Sequence, residues 1–198
     1  MDVTEAVAAA AGLAWASGLR PYAVVFLAGL AGRMEWFALP GELDVLEHPV
    51  VMGVAGLLMC VEFLADKMPA LDSLWDALHT FIRIPVGALL AAWALADQGS
   101  AGMFAGALLG GTLSGATHLT KAGGRLAVNA SPEPLSNLLL SAGEDGLALT
   151  GLWLAFVYPL AFLILLALFV IMLWWLLPRM WRFLTGLLSW VSGKQATG

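Results

Sequence analysis

Four polar side chains recur along an otherwise apolar stretch of the sequence, namely Asp72, Asp76, His79 and Arg83. At about 100° per residue in a helix, they share roughly 60° of arc. Carboxylate oxygens and imidazole nitrogens bind cations, so Asp72, Asp76 and His79 are candidate metal ligands, with Arg83 neutralising one carboxylate. The same pattern fits an interfacial helix whose charges lie among headgroups and water. Both interpretations stay open.

Two further acidic pairs lie in or beside apolar segments. Glu62 and Asp66 are spaced i, i+4 and so share one helix face, whereas Glu144 and Asp145 are adjacent. An unpaired acid in hydrocarbon is costly, so each acid is expected to face a partner or a cavity. A structural ion pair between Arg20 and Glu144 or Asp145 is one alternative; a role in binding an ion or solute is the other.

A basic stripe is expected in the second half of the chain if its helix continues through the glycines at 123–124. Its members are Ser114, His118, Lys121, Arg125 and Asn129. Glu133 then lies in a proline-flanked turn that breaks the helix, and Asn137 follows as a helix-capping residue. These groups either form a cytoplasmic loop with its cap, or line a polar vestibule and pair with the acidic stripe or a charged solute.

Composition indicates that a lipid bilayer surrounds these residues. The chain is 61% hydrophobic and only 12% charged, with a mean hydropathy of +0.87, whereas a soluble domain is about half apolar and a quarter charged. The net charge of -5 contains no basic run, which argues against nucleic acid as a partner. The single cysteine, Cys60, excludes a disulfide or a thiolate metal site within one chain.

Six apolar segments are the candidates for crossing about 30 Å of hydrocarbon as helices. The predicted spans are residues 6–30, 50–64, 84–95, 101–119, 135–157 and 159–177. Pro21 forfeits a backbone hydrogen bond beside the charge of Arg20, so the first span is predicted to kink or break there. An amphipathic helix near 70–82 and an interfacial helix at 179–192 complete the expected fold, an all-α integral membrane protein with one membrane domain over residues 1–198.

The distribution of basic residues predicts the orientation. Six spans with a cytoplasmic N-terminus leave only Arg33 outside, within the loop at 33–47, whereas five spans would divide the basic residues evenly. The residues expected inside are Lys67, Arg83, Lys121, Arg125, Arg179, Arg182 and Lys194. Both termini are therefore predicted to be cytoplasmic, provided that these residues are not buried in the protein.

A faint internal repeat divides the chain into halves at 1–98 and 99–178. The matched features are Ser17-Gly18 with Ser114-Gly115, Glu62 with Glu144, and Pro85 with Pro159. Two three-span halves must have opposite orientations, which is the inverted repeat found in secondary transporters. Chance similarity between alanine- and glycine-rich helices is the alternative.

The strings ASGLRPY, VEFLADKMPALDSLWDALHTFIRIPVGALLA and KAGGRLAVNASPEPLSN, followed by Glu144-Asp145, resemble the bacterial membrane family catalogued as domain of unknown function 4126. The resemblance covers nearly the whole chain and implies a location in the bacterial inner membrane. Relatives often carry Asn where this chain has Arg20. The resemblance implies that the family motifs include Glu62, Asp66, Lys67, Asp72, Asp76, His79, Arg83, Lys121, Arg125, Asn129, Glu133, Asn137, Glu144 and Asp145.

Three functions compete on this basis. The first is a transporter or channel for a small charged solute, coupled to a proton or to a bound mono- or divalent cation by the intramembrane acids. The second is a magnesium-dependent enzyme acting on a phosphate-bearing lipid, because Glu62-xxx-Asp66 and Asp72-xxx-Asp76 resemble paired acidic diphosphate motifs. The third is a lipid-handling or accessory protein. The expected partners are the bilayer and a solute or ion, with a homo-oligomer left open.

Overall fold

The computed structural model describes residues 1–65, 69–129 and 134–191, and this part of the chain is all-helical, as predicted. The α-helices are α1 (Val3–Leu19), α2 (Pro21–Arg33), α3 (Pro49–Ala65), α4 (Pro69–Ala94), α5 (Gly99–Asn129), α6 (Pro134–Val157) and α7 (Pro159–Val191). Short 3-10 helices, Leu43–Glu47 and Ala96–Gln98, lie between α2 and α3 and between α4 and α5.

The first predicted span is broken at Arg20, which confirms the prediction. Helix α1 ends at Leu19 and α2 begins at Pro21, so Arg20 caps both helices with a non-helical backbone (φ -144°, ψ 75°). Proline suits the first position of a helix because its missing N–H would have no intrahelical acceptor there. The break therefore leaves a single charged residue between two apolar helices.

Two other prolines lie inside helices, so the segments predicted on the two sides of each proline are continuous. Pro85 lies inside α4, so the amphipathic segment near 70–82 and the third span are one helix. Pro178 likewise lies inside α7, so the tail predicted at 179–192 and the predicted sixth span form one helix as far as Val191. A proline removes one internal hydrogen bond, and in α4 the helical packing against α1 and α5 offsets that loss.

The residues from Met1 to Phe162 form one compact unit, centred on α1. Helix α1 contacts α4, α5 and α6, and its buried face consists mainly of alanine and glycine. Small residues also let α5 approach α4, since Gly106 lies against the backbone of Ala91 and Gly110 lies against Gly87. Close backbone packing therefore joins α1, α4 and α5 around the interior of this unit.

The second unit begins at Leu163, within α7. Among the described residues, Pro159–Leu176 is the helix that is long and apolar enough by itself to cross a membrane, with a mean hydropathy of 2.6 over 18 residues. The segments Leu78–Ala94 and Ala96–Arg125 meet this criterion as a pair bent by 60°. Helices α1, α2 and α3 are apolar but shorter, in the range of 10–17 residues.

The crossing of α1 over α5 predicts a specific effect of Gly18. A Cβ atom at Gly18 would lie 2.5 Å from the Ser114 carbonyl oxygen and 2.7 Å from the Thr117 Cβ. Gly18→Ala should therefore reduce the free energy of unfolding by about 1–3 kcal/mol through overpacking. Tryptophan fluorescence of the purified protein in detergent would measure this as a lower apparent melting temperature.

Gly143→Ala is the matched control for that measurement. Gly143 is exposed on α6, and a Cβ there would meet no described atom within 4 Å. Alanine favours a helix over glycine by up to about 1 kcal/mol, so this variant should melt at the same or a higher temperature. Equal destabilisation by the two substitutions would show that the α1–α5 crossing is not closely packed.

Candidate functional site

The first buried charge network is centred on an ion pair between α3 and α4. Arg83 Nη2 donates to Glu62 Oε1 over 2.9 Å, and the side chains of Arg83 and Glu62 are 0% and 1% exposed. Hydrogen bonds that join two charged groups are shorter and stronger than those between neutral groups. The pair therefore holds both charges in the interior and ties α3 to α4.

His118 extends this network to α5. Arg83 Nη1 lies 2.8 Å from His118 Nδ1, and Thr80 Oγ1 lies 2.7 Å from His118 Nε2. Because a guanidinium can only donate, Nδ1 must accept, which leaves Nε2 to carry the hydrogen and donate to the hydroxyl of Thr80. The arrangement thus assigns the tautomer of His118. We refer to Glu62, Thr80, Arg83 and His118 as the Glu62 network.

Hydroxyl groups connect the Glu62 network to α1 and α2. Ser114 Oγ donates to the Arg83 carbonyl oxygen over 2.8 Å and lies 3.4 Å from Ser17 Oγ. On the other side, His79 Nε2 lies 2.8 Å from the hydroxyl of Tyr22, and the two rings meet edge to face. Ser114 therefore joins α1 and α5 to the backbone of Arg83, and the contact of Tyr22 with His79 joins α2 to α4.

The second charge network is centred on Glu144 of α6. Arg125 of α5 donates to both carboxylate oxygens, from Nε over 3.1 Å and from Nη2 over 2.7 Å. Lys121 Nζ lies 3.4 Å from Glu144 Oε2 and donates to the carbonyl oxygen of Leu19 over 3.2 Å. A cation is favourable there because the last carbonyl groups of α1 lack intrahelical donors.

Arg20 brings the break between α1 and α2 into this second network. Its Nε lies 2.7 Å from Asp145 Oδ1, and its Nη2 donates to Ser141 Oγ over 2.9 Å. The same Nη2 is 3.9 Å from Glu144 Oε2. The ion-pair prediction for Arg20 is thus confirmed for both acids. We refer to Arg20, Lys121, Arg125, Ser141, Glu144 and Asp145 as the Glu144 network.

A cavity of about 580 Å³ lies between α2, α3 and α6 and touches both networks. Glu62, Arg20 and Asp145 are its charged lining residues, and the other lining residues that the structure describes are apolar. Glu62 Oε2 is buried and has no hydrogen-bond partner among the described residues. A buried acceptor without a donor costs free energy, so this oxygen is a natural position for a proton, a cation or a ligand donor.

The structure places the predicted site residues whose side chains it describes in or beside the two networks. These are Glu62, His79, Arg83, His118, Lys121, Arg125, Glu144 and Asp145. The described members of the basic stripe share one face of α5, because that helix continues through 123–124. Outside the described residues or side chains lie Asp66, Asp72, Asp76, Asn129, Glu133 and Asn137.

The metal site predicted at Asp72, Asp76 and His79 stays a prediction. Two of its three side chains lie outside the described set, and His79 contacts Tyr22. Within the described part of the chain, no group of three or more His, Cys, Asp or Glu residues is placed to hold a metal ion.

Sequence reasoning missed Tyr22, Thr80, Ser141 and the apolar cavity. Ser141 could have been found, since it precedes Glu144 by three residues and therefore shares its helix face. Thr80 similarly precedes Arg83 by three. Tyr22 gives no comparable signal, because its contact with His79 depends on how α2 packs beside α4.

A family model described as "Domain of unknown function (DUF4126)" matches residues 7–179, which is most of the chain and agrees with the resemblance of the motifs. No curated protein and no solved structure matched. The family description names no activity, so any function must be argued from the two networks and the cavity.

The Glu144 network predicts strong coupling between Arg125 and Glu144. Arg125→Gln removes the nearest cation of the buried Glu144 and leaves Lys121 and Arg20 beside it, whereas Glu144→Gln removes the acid that these cations share. Each change should cost up to about 3–5 kcal/mol of stability. The double variant removes both charges and should lose about 1–3 kcal/mol less than the sum of the single losses. Chemical or thermal unfolding in detergent would give the stability of the parent, the two single variants and the double variant.

Arg33→Gln is the control for loss of a positive charge, because Arg33 is exposed at the end of α2. Its effect should stay within about 0.5 kcal/mol. Strictly additive losses in the Arg125 and Glu144 variants would contradict a direct ion pair between them.

Proposed function

We propose that this chain, which belongs to the family described as Domain of unknown function (DUF4126), is a membrane transporter for a small charged solute. The observation that carries the proposal is the unpartnered Oε2 of Glu62 at the cavity. This oxygen can take up a proton or a coupling cation from the cavity, and the other oxygen of the same carboxylate holds Arg83. Glu62 is therefore the proposed coupling site.

The distribution of apolar and charged residues supports a location within a bilayer. Phe81, Leu109 and Leu57 are 81%, 69% and 67% exposed, whereas Arg83 and Glu62 are buried. An exterior of large apolar side chains around charged residues suits lipid, because soluble proteins rarely expose extended apolar patches. We propose six crossings in the bacterial inner membrane, with α1 and α2 forming one broken crossing and α3 to α7 one each.

The burial of basic residues changes the argument for orientation. Arg83, Lys121 and Arg125 are buried in ion-paired networks, so they do not count as loop charges. Arg179 and Arg182 then supply the described basic residues on the side of the C-terminus, opposite Arg33. Cytoplasmic termini remain the proposed orientation, supported by fewer charges than the sequence suggested.

One contact supports the proposed inverted repeat. Ser17 and Ser114 are matched between the two halves, and their hydroxyl groups lie 3.4 Å apart. If an axis relates the two halves, matched residues that contact each other lie beside that axis, and this contact is what such an arrangement predicts. The match is incomplete, since Arg20 breaks the first half between α1 and α2 while α5 is continuous from Gly99 to Asn129.

Binding of a proton or a cation to Glu62 provides a physical means of coupling that ion to transport of the solute. A proton or cation on the carboxylate weakens its attraction for Arg83, whose charge is permanent. Arg83 also contacts His118, and the cavity is lined by both Glu62 and Arg20. Binding at the cavity therefore changes the balance of ion pairs between α3, α4 and α5, which is the differential interaction that a transport cycle requires.

The proposed topology predicts that the two termini lie on the same side of the membrane. In a variant lacking Cys60, single cysteines placed at Asp2, at Glu35 and at Gly198 would be labelled in inside-out and right-side-out vesicles with an impermeant maleimide. The terminal cysteines should react only in inside-out vesicles, and the cysteine at Glu35 only in right-side-out vesicles. Labelling of the termini from opposite sides would exclude an even number of crossings.

The proposed coupling site predicts loss of transport in Glu62→Gln. Purified full-length protein in liposomes that contain a pH-sensitive dye would be tested with gradients of Na⁺, K⁺, Mg²⁺, chloride and small organic cations. The parent should couple at least one gradient to proton movement, and Glu62→Gln should reduce that rate at least tenfold. The reason is that glutamine neither takes up a proton nor carries a negative charge that would hold a coupling cation.

Leu57→Gln serves as the control, because Leu57 also lies on α3 but does not line the cavity. Its rate should stay near that of the parent. Unchanged rates in Glu62→Gln would remove Glu62 from the mechanism. Magnesium-dependent turnover of a prenyl phosphate or phospholipid, without any flux, would replace transport by the enzymatic function.

A further inference from the structure

We propose that the cavity between α2, α3 and α6 binds a lipophilic cation, meaning a positively charged group carried on an apolar or aromatic body. This inference rests on the proposed function, because it names the class of solute that the transporter would carry. It is drawn from the size, the lining and the charge of the cavity.

The size and lining of the cavity suit an organic molecule rather than a bare ion. Its volume is about 580 Å³, within the range of about 300–1,000 Å³ that is usual for sites of drug-sized ligands. Val24, Phe63 and Leu152 are among the apolar residues that line it. An inorganic ion would lose its hydration beside such walls without gaining enough ligands, whereas an apolar body gains by burial.

The charged lining selects for a cation. Glu62 Oε2 can only accept a hydrogen bond when the carboxylate is ionised, and it has no donor among the described residues. The side chain of Asp145 is 33% exposed, so its carboxylate adds accessible negative charge. Among the described lining residues, Arg20 is the cation, and it contacts Asp145 and Ser141. Phe63 supplies an aromatic ring, a group that attracts cations over its face.

An acyl chain of a membrane lipid is the main competing occupant. It would fill the same apolar space, but it carries no charge and would bind without regard to Glu62. Dependence of binding on the sign of the ligand's charge therefore separates the two occupants. Tetraphenylphosphonium and tetraphenylborate make this comparison, because they have nearly the same shape and opposite charges.

Cys60 provides a direct reporter of occupancy, because it lines the cavity and is the only cysteine of the chain. The full-length protein in detergent would be treated with a maleimide in the presence of increasing amounts of either probe. Tetraphenylphosphonium should slow the labelling of Cys60 at least fivefold at saturation, while tetraphenylborate at the same concentration should leave the rate unchanged. Equilibrium dialysis with radiolabelled tetraphenylphosphonium would measure the dissociation constant independently.

Two variants test the site itself. Glu62→Gln removes the negative charge and should weaken tetraphenylphosphonium binding roughly tenfold or more. Ala23→Phe places a ring in the cavity without altering any charge, so it should abolish protection of Cys60 even if Glu62→Gln folds poorly. Ala105→Phe is the matched control, since Ala105 is exposed on α5 and does not line the cavity.

Each outcome decides the proposal. Equal protection of Cys60 by the two probes would overturn it in favour of a lipid acyl chain. Binding that Ala23→Phe leaves intact would also overturn it. Absence of binding by tetraphenylphosphonium would overturn it as well. Coupled flux of an inorganic ion without tetraphenylphosphonium binding would reject this solute class and leave transport standing. Selective binding without flux would reject transport and leave the binding site standing.

Discussion

The permanent charge of Arg83, buried to 0% exposure, is the constraint on which the interior of the protein depends. A guanidinium cannot lose its proton under ordinary conditions, so its burial is tolerable only if acceptors surround it. Glu62 supplies one from α3, and His118 supplies another from α5. Three helices that are separated in sequence must therefore meet at one point, and the placement of α4 among its neighbours follows from that requirement.

The break at Arg20 shows the same requirement in the Glu144 network, where buried charges and unpaired backbone groups also need partners. Interrupting the helix leaves carbonyl groups at the end of α1 without donors, and Lys121 reaches one of them at Leu19. The break also places the Arg20 guanidinium beside α6, where it forms ion pairs with Asp145 and Glu144. Local backbone irregularity and buried charge thus stabilise each other, since each supplies partners that the other lacks.

Much of the secondary structure could be predicted from the sequence, but which charged side chains pair with each other could not. Pro21 starts a helix as expected, whereas Pro85 lies within one, because packing against neighbouring helices outweighs one lost hydrogen bond. Helical periodicity placed His118 on a polar face correctly. It could not show that Arg83 pairs with Glu62, because that contact depends on how α3 and α4 lie side by side. The cavity has no sequence signature, since its apolar lining residues resemble those elsewhere in the apolar helices.

The close backbone contacts made by Gly106 and Gly110 have a mechanical consequence. Where the backbones of two helices are in contact, no flexible side chains lie between them. We therefore expect α4 and α5 to resist sliding past each other and to move as one rigid body. The junction at Arg20 is different, because a single non-helical residue joins two rigid rods there. A rotation of α2 relative to α1 would therefore change mainly the two backbone torsions of Arg20, and it would displace the cavity residues that α2 supplies.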